Sequence, residues 1–316
     1  MPEATIETRA VQAGAGFLDV LKAPVQGHVH SVFARAANIE FEGRLLVLEG
    51  PDLPLASWGA RLHSLPGDLD GLLEPGMNAR FSPPFLEAGP LRINVAGASR
   101  WQGDELAPGR PFDPKGLKVL LRLAERRCWP GLLRLYAPAV HSYCKADPVL
   151  ASAQAAVTRL VACRLAGDGE GEMEAASRLS GLGAGLTPAG DDFLGGYLAG
   201  RFAQSPGGSR DEALLALAAR LAPCCRQTGR VAGAFLAFAL RGSFSEHLAA
   251  LAGALGAGCT DQKPLNQLGQ EVLAFGASSG ADALAGLIAS ASQGEDLRFM
   301  PPQRRCPWSP RHKEDA

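Results

Sequence analysis

Apolar residues change their spacing once along this chain, at Pro111-Phe-Asp-Pro114, and that change limits the folds open to it. Before it, from about Gly27 to Trp101, apolar runs are short and broken by Pro and Gly: Val29-His-Ser-Val-Phe33, Arg44-Leu-Leu-Val-Leu48 and Leu91-Arg-Ile-Asn-Val95. Runs of this length, separated by turn sequences such as Glu49-Gly-Pro-Asp52 and Glu87-Ala-Gly-Pro90, read as strands of a small antiparallel sheet or barrel. After it, Leu- and Ala-rich segments repeat with a period near 3.6. They run from Leu117 to Arg127, Val149 to Leu165, Asp211 to Cys225, Val231 to Leu240 and Glu246 to Leu255. Val157, Leu160, Val161 and Leu165 share one face of the second segment, leaving Arg159 and Arg164 for solvent.

The expectation is an α+β protein: a β-rich N-terminal domain over 18–110, a mostly α-helical domain over 111–296, and a tail over 297–316. Pro301-Pro-Gln-Arg-Arg-Cys-Pro-Trp-Ser-Pro310 has the composition of a disordered segment, and Met1 to about Phe17 shows no packing pattern. With 316 residues, 47% of them hydrophobic, the chain can bury a substantial core. Lys plus Arg (31) and Asp plus Glu (32) nearly cancel, which excludes the broad basic field of a nucleic-acid binder and points to a small ligand. No basic start precedes a long apolar run, and no uninterrupted apolar stretch reaches the ~18 residues of a membrane span, so a cytoplasmic protein with no membrane partner is expected.

Cysteine and histidine supply no framework. The seven cysteines include no Cys-x-x-Cys pair, and adjacent Cys224 and Cys225 fit small buried positions on an Ala- and Leu-rich helix. His28 and His30 share one face of a presumed strand but lack a third ligand at a recognisable spacing. No Ser-His-Asp or Cys-His arrangement can be assembled.

Chemistry concentrates instead in Gly181-Leu-Gly-Ala-Gly-Leu-Thr-Pro-Ala-Gly-Asp-Asp192. Glycine at alternate positions permits positive φ and lets a ligand approach backbone N–H groups, so Gly181, Gly183, Gly185 and Gly190 are candidate phosphate contacts. Thr187 before Pro188 reads as an N-cap followed by proline at the first helical position, with a helix running to about Phe202. Free amides there favour an anion, yet Asp191 and Asp192 in the first turn would repel a bare phosphate. Two resolutions are open: a Mg²⁺-like cation bridges carboxylate and phosphate, or a carboxylate accepts hydrogen bonds from an amide or hydroxyl of the ligand. A third reading needs no ligand, since first-turn acids favour the helix dipole and glycines close tight turns. The Rossmann and P-loop patterns are both excluded, because no Gly-Lys-Ser/Thr follows and Met173 to Leu179 reads as helix rather than strand.

Gly276-Ala-Ser-Ser-Gly-Ala-Asp282 repeats the device, ahead of an apolar helix through Leu284, Leu287 and Ile288. An offset of 90 residues matches Gly190 with Gly280, Asp192 with Asp282, Leu194 with Leu284 and Gly196 with Gly286. Ser279 and Asp282 also read as a capping pair. The expectation is that two helix starts face one another, Asp192 and Asp282 lining a shared site, with Gly195, Gly196, Gly200 and Gly286 allowing close approach. Arg241, in the turn Arg241-Gly-Ser-Phe-Ser-Glu-His247, is a candidate anion contact or a solvated helix-end residue.

The central motif through Gly196, Thr228 ahead of Phe235-Leu-Ala-Phe-Ala-Leu-Arg-Gly-Ser-Phe-Ser245, Gly276-Ala-Ser-Ser-Gly280, and the N-terminal Gly27-His-Val-His-Ser-Val-Phe33 with Asn38-Ile39 resemble the AllH family, named for a subunit of oxamate carbamoyltransferase. The resemblance implies a part in anaerobic allantoin breakdown, where oxalurate and phosphate give oxamate and carbamoyl phosphate, together with companion subunits. On that reading Asp191, Asp192 and Asp282 are the candidate catalytic acids, and Thr187, Ser278, Ser279 and Gly280 join the glycines as phosphate or carbamoyl contacts. The sequence departs from the family pattern at Ala277, where relatives usually carry His, and at Ala184 and Ala189, where Pro and Ser are usual. Two other readings stay open: a non-catalytic interaction subunit, and a stand-alone metal-dependent enzyme acting on a phosphate ligand.

Overall fold

In the computed structural model, residues 5–103, 105–125, 129–137 and 147–293 are described. The tail over 297–316 lies outside the described residues, as do Cys128, His141 and Cys144.

The N-terminal part is a closed barrel with a helical region after it, an α+β architecture as expected. Its strands are β1 (Ile6–Gly14), β2 (Val25–Val32), β3 (Ala36–Phe41), β4 (Arg44–Glu49), β5 (Gly59–Leu62), β6 (Asn78–Ser82), β7 (Phe85–Ala88), β8 (Leu91–Asn94) and β9 (Ser99–Trp101), with a short helix α1 (Ala15–Val20) after β1. The order β5-β4-β3-β2-β6-β7-β8-β1 closes through a β1–β5 pairing, and β9 adds beside β1. One long strand serves three neighbours: residues 6–9 of β1 run parallel to β8, 10–13 antiparallel to β5 and 12–14 parallel to β9. A register shift between Ala10 and Gln12 provides the bend this needs. The sheet is therefore mixed rather than antiparallel throughout, because β4–β5 and β1–β8 are parallel.

Met1 to about Phe17 was expected to lack a packing pattern, and β1 corrects that. Ala10, Ala13 and Phe17 lie buried in the barrel core with Val29, Ile39, Phe41, Leu48 and Leu62. The strand Ile-Glu-Thr-Arg-Ala-Val-Gln-Ala-Gly turns small alanines inward, so no run of large apolar residues marks it.

The helical region contains α2 (Pro114–Glu125), α3 (Pro148–Ala166), α4 (Gly169–Leu179), α5 (Ala189–Ala203), α6 (Glu212–Arg220), α7 (Arg230–Ala239), α8 (Glu246–Gly256), α9 (Gln262–Leu273) and α10 (Ser279–Ala291). The expected helix from Asp211 to Cys225 breaks after Arg220 into a 3-10 turn over Ala222–Arg226, where Pro223 cannot continue the hydrogen-bond ladder. Half of helix α9 is polar; its buried positions are Leu265, Gly269 and Val272, too thin an apolar stripe to stand out in the sequence. Helix α3 is long and apolar enough by composition to cross a membrane, although Gln154, Arg159 and Arg164 interrupt it, and Leu150, Ala153, Val157, Leu160 and Val161 pack into the helical core.

Barrel and helices meet across β4 and α7. Trp58 stacks on Phe235 with ring centroids 5.1 Å apart and lies 4.4 Å from the Phe238 ring. At the start of α8, Glu246 N–H donates to Leu55 O at 2.8 Å while its carboxylate receives Leu55 N–H at 3.1 Å and pairs with Arg61. Central to the helical region are α5 and α10, parallel neighbours buried along most of their length by Phe193, Leu194, Tyr197, Phe202, Leu284, Leu287 and Ile288.

Candidate functional site at two paired helix starts

The glycine-rich segment leaves α4 at Ser180 and crosses to α5 with Gly181, Gly183 and Gly185 all at positive φ (73°, 118° and 98°). A side chain is strained at each of these positions, which is why glycine occupies them. Pro188, not Thr187, takes the N-cap position: its carbonyl accepts Asp191 N–H at 2.9 Å, and α5 begins at Ala189. The Thr187 hydroxyl is thereby released from the capping role read from the sequence. Within the fold's hydrogen bonds, Gly181, Leu182 and Gly190 N–H are used, whereas those of 183–187 have no partner among the described residues. Ala184, Gly185 and Leu186 are exposed, and Gly183 and Thr187 are half-buried, so the turn opens to solvent at its middle.

Asp191 turns away from that opening. It is buried, and its carboxylate accepts Gly181 N–H (3.2 Å), the Ser180 hydroxyl (3.2 Å) and the Thr228 hydroxyl (2.5 Å). Burial pushes its pKa up and these three donors oppose the rise. The arrangement is a latch that ties the end of α4, the start of α5 and the residues before α7 to one carboxylate.

Across from it, α10 starts after the exposed turn of Gly276 and Ala277. Ser278 takes the N-cap position without a side-chain capping bond, and the expected Ser279–Asp282 capping pair does not form. Asp282 instead points into the protein, fully buried, where Oδ1 accepts Leu132 N–H at 2.6 Å. A Cβ on Gly131 would stand 2.2 Å from that oxygen, so glycine at φ 63° is what lets the 3-10 turn Gly131–Tyr136 reach the carboxyl group. This partner lies 150 residues away in sequence, and only the Pro130-Gly131 turn signal marks it.

The two starts meet through side chains that the sequence assigned to capping. Thr187 Oγ1 lies 3.0 Å from Ser279 Oγ, and both hydroxyls favour the charged form of the Asp192 carboxyl beside them. Asp192 is half-buried as a residue, yet its Oδ2 is fully covered and has no hydrogen-bond partner; the same is true of Asp282 Oδ2. Burial pushes the Asp192 carboxyl up to about 7, with the charge of Asp282 adding to the rise and the Ser279 and Thr187 hydroxyls opposing it. Burial also lifts Asp282 to about 7, opposed by Leu132 N–H and Ser278. Two acids that share one region and titrate near neutrality can hold or move a proton there.

Gly190 and Gly280 do the same work in the two halves. A Cβ on Gly190 would stand 1.8 Å from Leu179 O and one on Gly280 1.9 Å from Val272 O, so each glycine lets its helix start against the end of the preceding helix. Gly200 sits against Ser290 in the same close helix pair, at 1.9 Å for a Cβ. Gly195 does not share this role: a Cβ there meets nothing within 4 Å.

Other sequence candidates fall elsewhere. His30 contacts the Ser31 hydroxyl at 3.2 Å, and Asn38 donates to that hydroxyl at 2.8 Å, forming a small polar group on β2 and β3. Among the described residues no group of three His, Cys, Asp or Glu side chains could hold a metal ion, so the turn offers Mg²⁺ two acids and hydroxyls at most. Cys163, Cys224, Cys225 and Cys259 are free thiols. Arg241 lies over the Phe238 ring at 4.7 Å, away from the glycine turn's own contacts.

A family model described as oxamate carbamoyltransferase subunit AllH matches residues 179–291, which begin at the last residue of α4 and run through the end of α10. A second, the AllH family N-terminal domain, matches residues 9–100, the barrel. The chain belongs to the AllH family. No curated protein and no solved structure matches it. The AllH match over 179–291 holds the whole constellation of Gly181–Asp192, Thr228, Ser278, Ser279 and Asp282, whereas Gly131 and Leu132, which complete the Asp282 environment, fall between the two matched segments.

Proposed function

We propose that this AllH-family chain is a carbamoyltransferase subunit whose paired helix starts bind phosphate and the carbamoyl group. One observation carries the reading: unpartnered amides of 183–187 open beside Thr187, Ser279 and Asp192 at the junction of α5 and α10. Amides and hydroxyls suit phosphate oxygens, and a carboxyl group suits the amide NH₂ of a carbamoyl group. The repulsion expected between aspartates and phosphate is relieved if the acids keep their protons near neutral pH, as their raised pKa values favour.

For oxalurate and phosphate, a phosphate oxygen bonds to the carbamoyl carbon, the bond from that carbon to the oxamate nitrogen breaks, and the nitrogen takes up a proton. Asp192 is the group suited to supply that proton, because it is the partly accessible member of the pair. Asp191 holds the turn in shape, and Asp282 sets the charge beneath Asp192. Leu186 (40% exposed) and Phe275 (41% exposed) flank the two starts and give a companion subunit an apolar surface to cover. The test is the phosphate-dependent cleavage of oxalurate by the chain co-expressed with companion subunits. Asp192→Asn should lower kcat while the complex still assembles; undiminished turnover would overturn the assignment.

A further inference from the structure

A second recess lies apart from the helix starts, between the barrel and α7. It is a cleft of about 940 Å³, large enough for a ligand far bigger than phosphate or a carbamoyl group. Small residues, Gly16, Gly43, Ala234 and Ala237, form part of its lining. Trp101, at the end of β9, and Phe238, backed by Trp58, give it flat apolar walls.

Charge in the cleft is one-sided, although the whole chain carries a net charge of only -1. Arg44, Arg100, Arg210 and Arg241 line it, against Asp19 and Glu105. Glu105 receives Arg210 at 2.9 and 3.2 Å, and Asp19 pairs with Lys22 at 2.8 Å while its charge also reaches Arg100 and Arg44. Arg44, Arg100 and Arg241 have no ion-pair partner among the described residues, and Arg241 is held over the Phe238 ring at 4.7 Å. Three guanidinium groups around a hollow with aromatic walls suit a molecule that joins several negative charges to a flat ring.

We infer that this cleft binds a nucleoside polyphosphate, with Arg44, Arg100 and Arg241 gathering the phosphates and Trp101 stacking on the base. Helix α7 connects the cleft to the glycine turn. Ala234, Ala237 and Phe238 on it line the cleft, and Thr228, just ahead of it, holds Asp191.

Titration calorimetry on the full chain with ATP, pyrophosphate and adenosine tests the inference. ATP is expected to bind, with pyrophosphate and adenosine each weaker by roughly tenfold or more, since each keeps only part of the contacts. Arg100→Ala with Arg241→Ala should weaken ATP by roughly a hundredfold without moving the melting temperature of the free chain, both side chains being exposed. Asp192→Asn should leave ATP binding unchanged. No binding of ATP at millimolar concentration, equal affinity in the double arginine variant, equal affinity for pyrophosphate, or loss in Asp192→Asn would each overturn it.

Discussion

Gly196 and Gly286 stand in reciprocal positions across α5 and α10: a Cβ on Gly196 would lie 1.8 Å from Ala283 O, three residues before Gly286, and one on Gly286 would lie 1.9 Å from Phe193 O, three residues before Gly196. The 90-residue offset seen in the sequence thus has a geometric counterpart, two helices related by a local pseudo-twofold exchange. Such close contact of backbones brings the two helix starts side by side and sets Asp192 near Asp282.

Gly196→Ala and Gly286→Ala are expected to destabilise the chain by about 1–3 kcal/mol or more, because backbone rather than a movable side chain is in the way. Gly195→Ala, with open space around it, should stabilise by about 0.5–1 kcal/mol through the gain in helix propensity. Urea denaturation of the three variants measures this, and equal effects at residues 195 and 196 would contradict the packing.

Stability should fall as pH rises. Asp192 and Asp282 have ordinary values of 3.8 but titrate near 7 in the folded chain, so between those limits the folded state holds more protons than the unfolded one. Their contribution is complete below about pH 4 and is lost as pH climbs through about 7. Melting temperature should therefore be several degrees higher at pH 5 than at pH 8 from this pair. Asp282→Asn keeps an acceptor for Leu132 N–H and should flatten the slope; an unchanged slope would show that other groups set it.

Asp191→Ala orphans Gly181 N–H and the Thr228 hydroxyl, at a cost of about 2–3 kcal/mol, while the Ser180 hydroxyl keeps the Cys224 carbonyl as its acceptor. Amide exchange over 180–187 should accelerate in this variant more than exchange in α10. Unchanged protection of the turn would remove the latch role.

Ala277 is exposed at the turn before α10, and its methyl group offers a ligand no polar contact. If the helix starts form the site, Ala277→His should alter the affinity for phosphate by several-fold while leaving the melting temperature of the free chain within about 1 °C. A variant that binds phosphate as the parent does would place that position outside the site.

Much of this was legible in the sequence, for physical reasons. The strand and helix periods follow from one-sided burial, and the glycine turn announces itself through residues that only a positive φ or a close approach requires. The pairing of α5 with α10 was readable because the same small residues recur at one offset. Strand β1 was hidden because alanine serves a barrel interior as well as leucine where space is tight. The roles of Thr187 and Ser279 were misread because a hydroxyl before a helix caps it in most local contexts, and here a neighbouring helix start competes for it. Gly195 was grouped with the packing glycines because sequence spacing alone does not show which side of a helix faces its neighbour. The Leu132 N–H beneath Asp282 depends on tertiary contact across the chain and leaves no local pattern.

The most direct measurement is the melting temperature of the full chain with phosphate and with carbamoyl phosphate, each with and without Mg²⁺, compared with Asp192→Asn and Thr187→Val. A ligand at ~100 times its dissociation constant adds about 2.7 kcal/mol, a rise of a few degrees. A rise with carbamoyl phosphate that largely disappears in both variants is the expected result. An equal rise in the variants, or none in the parent chain, would contradict ligand binding at the paired helix starts.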